Sequence, residues 1–538
     1  MRIVGKSLLF SQYLLACVLS ASLFIFTNAS FASTLVYCAE ANPENLVPSM
    51  GTNGATFNAL RPVYDQLVEF ERGTTTLVPG LAERWEFSAD GREVTFFLRK
   101  GVQFHSTASW QPTRAFNADD VLFSFNRQRD PNHPYNKVSG GNYAYFSDLG
   151  WSKLILAIEK LDAYTVKFTL SEPSALFLIN IALDFGSIQS AEFAGEMARL
   201  GTPERFDLTP VGTGPFRFIA YQKDNNLRYE ANESYWAGRP GVDTLIITIA
   251  TSASVRLSKL KAGECQLMTA PSPNDLAEIA ADPTLKLVVR PGMNIGYLAM
   301  NTQKKPFDDV RVRRAMAYAI DKKNIIKVVF GGTGEMAKNF VPPNIWAFND
   351  EIEDYPYDPE KAKELLASAG ITEPLQLDLW FMSSQRAYNP NGRLMGEMMQ
   401  ADLARVGIQA KLVTYEAGEY RKRLYNGEHS LAQLGWTGDN GDPDNFFFLM
   451  GCDAARVGGQ NIAKWCNEAF ENRLQKAKVS LNSEERKGLY QEMQVIMHDE
   501  VPVLNIGHSF VYEAARKEVE NYIVSPLGRR DFTHVKLN

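Results

Sequence analysis

The sequence predicts a mixed α/β protein with more than one lobe. Three observations carry this. The chain has 538 residues, and a single hydrophobic core rarely grows past about 250–300 residues. Its composition, 45% hydrophobic and 22% charged, is that of a folded protein rather than a disordered one. Strand-patterned runs alternate with runs of helical spacing along the whole chain.

The elements follow in order. Thr34-Leu35-Val36-Tyr37 predicts an early strand. Asp90-Gly91 is a hairpin turn signal, and a strand over 94–98 follows it. Asn117 precedes Ala118-Asp119-Asp120-Val121, an N-cap with acids in the first turn of a helix. Val166-Lys167-Phe168-Thr169-Leu170 alternates as a half-buried strand does, and 245–249 and 285–289 read as further strands. Helical spacing recurs over 308–320, 395–406 and 484–499. Asp358-Pro359 opens a helix over 360–369 that Gly370 ends, with Pro at the first position and Gly past the last turn. No internal repeat or low-complexity tract interrupts the series.

Residues 1–32 read as a secretory signal peptide. Arg2 and Lys6 precede an uncharged, apolar stretch from 7 to 27, and small residues close it. Cleavage is expected after Ala32, with Ser30 and Ala32 at −3 and −1. Two other readings exist: an uncleaved anchor, since the run is long enough to span a bilayer, and a lipoprotein at Cys17 within Leu14-Leu15-Ala16-Cys17. Removing 1–32 takes away two basic groups and no acidic one, so the net charge of −6 becomes −8. An acidic chain argues against a general nucleic-acid binder.

Export agrees with the cysteines. Beyond Cys17 there are Cys38, Cys265, Cys452 and Cys466, an even count that predicts two disulfides in an oxidising compartment. Three pairings are open; the short span from Cys452 to Cys466, which contains Gly458-Gly459, suits a local bridge. No close-spaced pair of the C-x₂-C kind supports a zinc site.

Motifs of chemistry are mostly missing. The six histidines form no H-E-x-x-H, and no G-x-S-x-G elbow occurs. Gly212-Thr213-Gly214-Pro215 lacks the ending of a phosphate loop, and Pro215 removes a backbone donor. The cluster Asp439-Asn440-Gly441-Asp442-Pro443-Asp444-Asn445 fails the calcium-loop spacing, with Gly441 at position 3 and Met450 at position 12. It reads instead as an Asx-rich turn bonding its own backbone. Gly435-Trp436-Thr437-Gly438 leads into it, and an aromatic beside a carboxylate in a Gly-permitted turn suits a small cationic group. No metal or cofactor is expected.

The segment Gly80-Leu81-Ala82-Glu83-Arg84-Trp85, then Phe97-Leu98-Arg99-Lys100-Gly101-Val102 and Phe116-Asn117-Ala118-Asp119-Asp120-Val121, resembles the signature of the family-5 extracellular solute-binding proteins. Val211-Gly212-Thr213-Gly214-Pro215-Phe216 and Tyr357-Asp358-Pro359-Glu360-Lys361-Ala362 extend the likeness. Leu35-Val36-Tyr37-Cys38, Arg386-Ala387-Tyr388-Asn389-Pro390-Asn391 and the run from Trp436 to Phe446 resemble its periplasmic dipeptide-binding branch. Haem- and antimicrobial-peptide-binding relatives share many of these motifs, and Arg290-Pro291-Gly292-Met293-Asn294 is as close to the latter.

The resemblance implies an α/β fold of the periplasmic-binding-protein type, with two lobes joined by a hinge that close over an extended peptide. It implies lobe I, with an extra subdomain, at 33–291 completed by 508–538, lobe II at 292–507, and connections near 291–294 and 505–508. It implies the pairs Cys38–Cys265 and Cys452–Cys466. It also implies that Asp439 holds a peptide α-ammonium and Arg386 the carboxylate, with Trp436, Tyr388, Gly438 and Thr52 nearby. The expected role is binding rather than catalysis: a monomer in the periplasm that captures dipeptides for an inner-membrane ABC permease, with a chemoreceptor as a further partner.

Overall fold

The computed structural model describes residues 33–538 apart from 373 and 384. The expected signal peptide, its cleavage point and Cys17 lie outside the described residues. Among those described, no helix is long and apolar enough to cross a membrane.

A twelve-stranded mixed sheet organises the molecule. Its strands in chain order are Thr34–Ala39 (β1), Phe216–Gln222 (β2), Asn226–Ala231 (β3), Thr244–Ile249 (β4), Leu267–Thr269 (β5), Leu285–Pro291 (β6), Asn294–Met300 (β7), Gly334–Met336 (β8), Leu375–Trp380 (β9), Ile408–Val413 (β10), Leu431–Thr437 (β11) and Val503–Arg516 (β12). The spatial order is β10-β9-β11-β7-β12-β5-β1-β4-β3-β2, with β6 and β8 also paired to β12. The pairs β1/β4, β1/β5, β9/β10 and β9/β11 are parallel, as strands reached through crossovers are. β7 is wholly buried, as a strand covered on its faces should be.

β12 is fourteen residues long. Its first residues pair with β7, from Ala299↔Val503 to Gly296↔Gly507. Its later residues pair with β6 and β5, from Pro291↔Phe510 to Leu285↔Arg516. The chain thus passes twice between the two halves of the sheet, at 291–294 and at 507–510. Asn294 pins the two passages: its Oδ1 accepts from the Ser509 N–H at 2.9 Å, and its Nδ2 donates to the Ser509 carbonyl at 3.1 Å.

The local signals read from the sequence take physical form. Asn117 caps the helix Ala118–Arg129 and Asp120 completes the capping box. Asp358 caps Pro359–Ser368, and Gly370 follows at φ +83°. The helix expected over 395–406 begins earlier, as Gly392–Arg405, because Asn391 caps it. Gly91 turns the hairpin of Ala82–Phe87 with Glu93–Leu98 at φ +69°. That hairpin belongs to a separate four-stranded antiparallel sheet with Thr165–Leu170 and Ile155–Asp162. A buried aromatic core fills the space around it, with Phe96, Phe125, Trp151, Phe168 and Phe177 in mutual contact.

One ion pair lies inside that core. Arg127 and Asp207 have side chains 0% and 1% exposed and meet at 2.7 Å. Arg127 also donates to the Tyr143 hydroxyl and to Gln189 Oε1. Cys38 is bonded to Cys265 and Cys452 to Cys466, with Cα atoms 5.9 and 4.6 Å apart. The first bridge ties β1 to the entry of β5, and the second closes a local loop.

Candidate functional site

β11 carries the chain to the site. It pairs with β7 from Met300↔Leu431 to Asn294↔Thr437. Tyr388 packs against it at Gly435, where a Cβ would come within 2.2 Å of the tyrosine ring. Any larger residue there would push the ring away, so the glycine is what admits the aromatic.

Past Thr437 the Asx-rich segment forms the turn its composition predicts. The Asp439 N–H donates to Asn445 Oδ1 at 2.9 Å, the Asp442 N–H to Asn440 Oδ1 at 3.0 Å, and the Asp444 N–H to Asp442 Oδ1 at 3.0 Å. Asn445 Oδ1 also accepts from Trp436 Nε1 at 3.1 Å. One amide therefore fixes the indole and the backbone of Asp439 together. From behind, Arg486 clamps both Asp442 oxygens at 2.8 Å, with the two side chains 9% and 5% exposed.

The loop meets the half of the molecule that carries β1. The Tyr145 hydroxyl donates to Asp439 Oδ1 at 3.2 Å, and Asn440 Nδ2 donates to Asn180 Oδ1 at 3.1 Å. A Cβ at Gly441 would sit 2.3 Å from the Thr75 side chain. Burial and the nearby Asp439 carboxylate raise the Tyr145 pKa, so its hydroxyl keeps its proton and donates.

Asp439 borders a cavity of about 240 Å³ together with Thr52, Gly54, Phe57, Tyr145, Leu183 and Gly438, among others. Burial pushes the Asp439 carboxyl up to about 6; Tyr145 and Asn445 oppose that, Asp184 adds to it, and Arg529 opposes it. Arg61 grips Asp184 with two bonds of 2.7 Å. Against the upward push of burial, Arg61 and Arg529 hold Asp184 below the usual carboxylate range. Burial and Arg61 together lower Arg529 to about 10.

The structure therefore brings three of the expected residues, Thr52, Gly438 and Asp439, to one cavity. Thr52 turns its hydroxyl to Glu44 Oε1 at 2.9 Å. Arg386 borders a second cavity of about 140 Å³ with Met382, Ser383, Tyr420, Arg421 and Leu434. Its side chain is exposed, and Nη1 reaches the Gln385 carbonyl at 3.2 Å. β11 contributes a residue to each cavity, Leu434 to the one that Arg386 borders and Thr437 to the one that Asp439 borders. Trp436, itself on β11, is half-buried against Phe448, and Tyr388, packed on β11, is 6% exposed; neither borders the Asp439 cavity.

Tyr145 and the Arg61–Asp184 pair were not among the residues singled out from the sequence, and Asn445 was read there only as part of the Asx turn. Asn445 had a local signal, since it closes the Asx turn. Tyr145 had none, because 294 positions separate it from Asp439.

The chain is similar to known proteins over nearly its whole length. Residues 76–456 match the family described as bacterial extracellular solute-binding proteins, family 5, middle region. The chain is 51% identical over 507 residues to the dipeptide-binding protein of Escherichia coli, covering 94% of this chain and 95% of that one. It is 46% identical over 513 residues to heme-binding protein A of Haemophilus influenzae, covering 95% and 93%. The crystal structure of a dipeptide-binding protein from Pseudoalteromonas sp. SM9913 in complex with Met-Leu superposes with a TM-score of 0.81 at 36% identity, covering 94% of this chain and 100% of that one.

Proposed function

Because the chain belongs to the bacterial extracellular solute-binding proteins of family 5, we propose that it captures dipeptides in the periplasm for delivery to an ABC permease. The observation that carries this reading is the charge arrangement along β11. Asp439 borders one cavity and Arg386 the other, β11 contributes to both, and two opposite charges of this kind suit the two ends of a zwitterion. Among the described residues no ion pair engages Asp439 or Arg386, whereas most buried charges elsewhere are matched. The relatives that bind dipeptides support the same ligand. Export follows from the signal-peptide pattern of residues 1–32.

Calorimetry with free and N-acetylated Ala-Ala tests the reading, and a pH series sharpens it. The ammonium pairs with the ionised Asp439 carboxyl, whose pKa stands at about 6 in the free protein. Affinity is expected to be level near pH 7 and to fall as the pH drops through 6, by up to about tenfold per unit below it. Above about pH 8 the peptide amine loses its proton, and affinity falls again. A flat profile from pH 5 to pH 7 would remove Asp439 from the site. Haem capture is the second reading, supported by the haem-binding relative. Titration with haemin that gives no Soret shift decides against it.

The proposed lobes are 33–291 with 508–538 and 292–507, with the hinge near 291–294 and 505–508, beside the two crossings at 291–294 and 507–510. Ligand contacts on both sides shift an open–closed equilibrium by their differential affinity. Small-angle scattering of ligand-free protein is expected to show a smaller radius of gyration on adding dipeptide. An unchanged radius counts against the hinge.

A further inference from the structure

Arg61 also borders a third cavity, of about 320 Å³, which neither Asp439 nor Arg386 borders. Two pieces of chain build it. A turn over 71–76 is closed by the Glu71 N–H, which donates to the Thr76 carbonyl at 2.7 Å. The segment 523–534 lies against that turn: a Cβ at Gly73 would come within 2.8 Å of the Ile523 side chain. A bridge between Val524 and Arg530 closes a loop in this segment. Arg72 stands on the turn and Arg529 on the loop, and both border the cavity. We propose that the cavity binds a small organic carboxylate, whose charged end is held by Arg529 and Arg72. Dipeptide binding at Asp439 is not required for it.

Spare donors decide the sign of the guest. Among the described residues Arg529 makes one hydrogen bond, from Nη2 to the Ala182 carbonyl at 2.9 Å, and its Nε has no partner. Its ion-pair contact with Asp184 is 3.9 Å long, and Arg61 already grips that carboxylate with two bonds of 2.7 Å. Arg72 Nε stands 2.8 Å from Asp531 Oδ2 but off the line of a hydrogen bond, and Arg72 Nη2 has no partner either. The buried acceptors are taken. Asp65 accepts from the Thr213 hydroxyl at 2.7 Å and from the Tyr235 hydroxyl and Trp236 Nε1 at 2.9 Å. Burial and the neighbouring Asp65 push the Glu69 carboxyl up to about 8, so it keeps its proton at neutral pH. A cationic guest would find these carboxylates engaged, whereas an anion gains charge-assisted bonds from the two guanidinium groups.

Size and walls decide the rest. A bare inorganic anion would fill a small part of this volume, and small-molecule pockets begin at about 300 Å³. Phe70, Trp236 and Phe532 supply ring surface for an apolar body. The Arg529 guanidinium lies over the Phe70 ring at 4.4 Å, so the charge and the apolar wall are side by side.

Calorimetry with benzoate tests the proposal, beside phosphate, which has the charge without the ring, and benzylamine, which has the ring with the opposite charge. Benzoate is expected to bind the wild type once per chain and more tightly than phosphate, and benzylamine is expected not to bind. Arg529→Gln should weaken benzoate binding roughly 10- to 100-fold, the range for losing a hydrogen bond to a charged group. Arg72→Gln should weaken it as well. The Arg72 side chain is 27% exposed, so this second variant decides the matter if circular dichroism shows Arg529→Gln misfolded. No binding of benzoate, benzylamine bound as tightly as benzoate, or unchanged benzoate affinity in the folded variants overturns the site. Phosphate bound as tightly as benzoate overturns the organic guest.

Discussion

Asp439→Asn is expected to weaken dipeptide binding by roughly 30-fold to several thousand-fold while the protein stays folded. Truncating one member of a desolvated charge pair typically costs ~2–5 kcal/mol, which converts to that range of affinity. The substitution keeps the shape of the side chain. The backbone bond from residue 439 to Asn445 remains, and the Tyr145 hydroxyl can still donate to an amide oxygen. What goes is the negative charge, and with it the charge-assisted bonds to the ammonium. Arg386→Met is expected to cause a comparable loss at the other end, because only a planar guanidinium offers a carboxylate two parallel donors at fixed charge. The termini of a dipeptide stand about 6–7 Å apart at ~3.3–3.6 Å per residue, so two fixed charges measure length without reading side chains. Isothermal calorimetry on the two variants is the check. Wild-type affinity in either variant would refute the clamp.

The largest stability effect is expected far from that cleft. Arg127→Met should destabilise the protein by about 3–5 kcal/mol, since breaking a buried pair by removing one partner strands the other charge. Asp207 would keep a fully buried carboxylate whose Oδ1 already lacks a hydrogen-bond partner. The Tyr143 hydroxyl and Gln189 Oε1 would each lose a donor as well. The guanidinium further lies over the rings of Phe206 and Tyr135 at 5.5 and 5.8 Å, so packing is lost along with charge. Urea unfolding of the wild type and variant measures the difference; a change below about 1 kcal/mol would show that solvent reaches Asp207. Replacing the two residues together by apolar ones is expected to cost much less, as the penalty comes from the unmatched charge.

Much of this architecture was legible residue by residue. Asn117, Asp358 and Gly370 announce helix ends by chemistry that acts within one turn, and the structure uses each of them so. The Asx turn at 439–445 was readable for the same reason: its bonds span two to six positions. The partners of Asp439 were not. Tyr145 and Asp184 reach it through tertiary folding, and no local pattern encodes a neighbour hundreds of positions away. The placement of Arg386 in a second cavity was likewise hidden, because Tyr420, Arg421 and Leu434, which share that cavity, come from elements 34 to 48 positions away. The pairing order of the strands was beyond reach as well: β5, only three residues long, carries no alternation to read.

The long final strand has a consequence for how the polypeptide matures. β12 borders β5, β6, β7 and β8. Until residue 516 has emerged, those four strands present unpaired amide groups to whatever is near. The large sheet therefore cannot be completed behind the ribosome before the last strand arrives, and the contacts it brings join residues as far apart as Leu285 and Arg516. Such an order makes for slow acquisition of the native state and exposes sheet edges that invite association with other chains. A large sheet that waits for its last strand leaves most of the chain without its final pairing through most of synthesis, a condition compatible with the export proposed above.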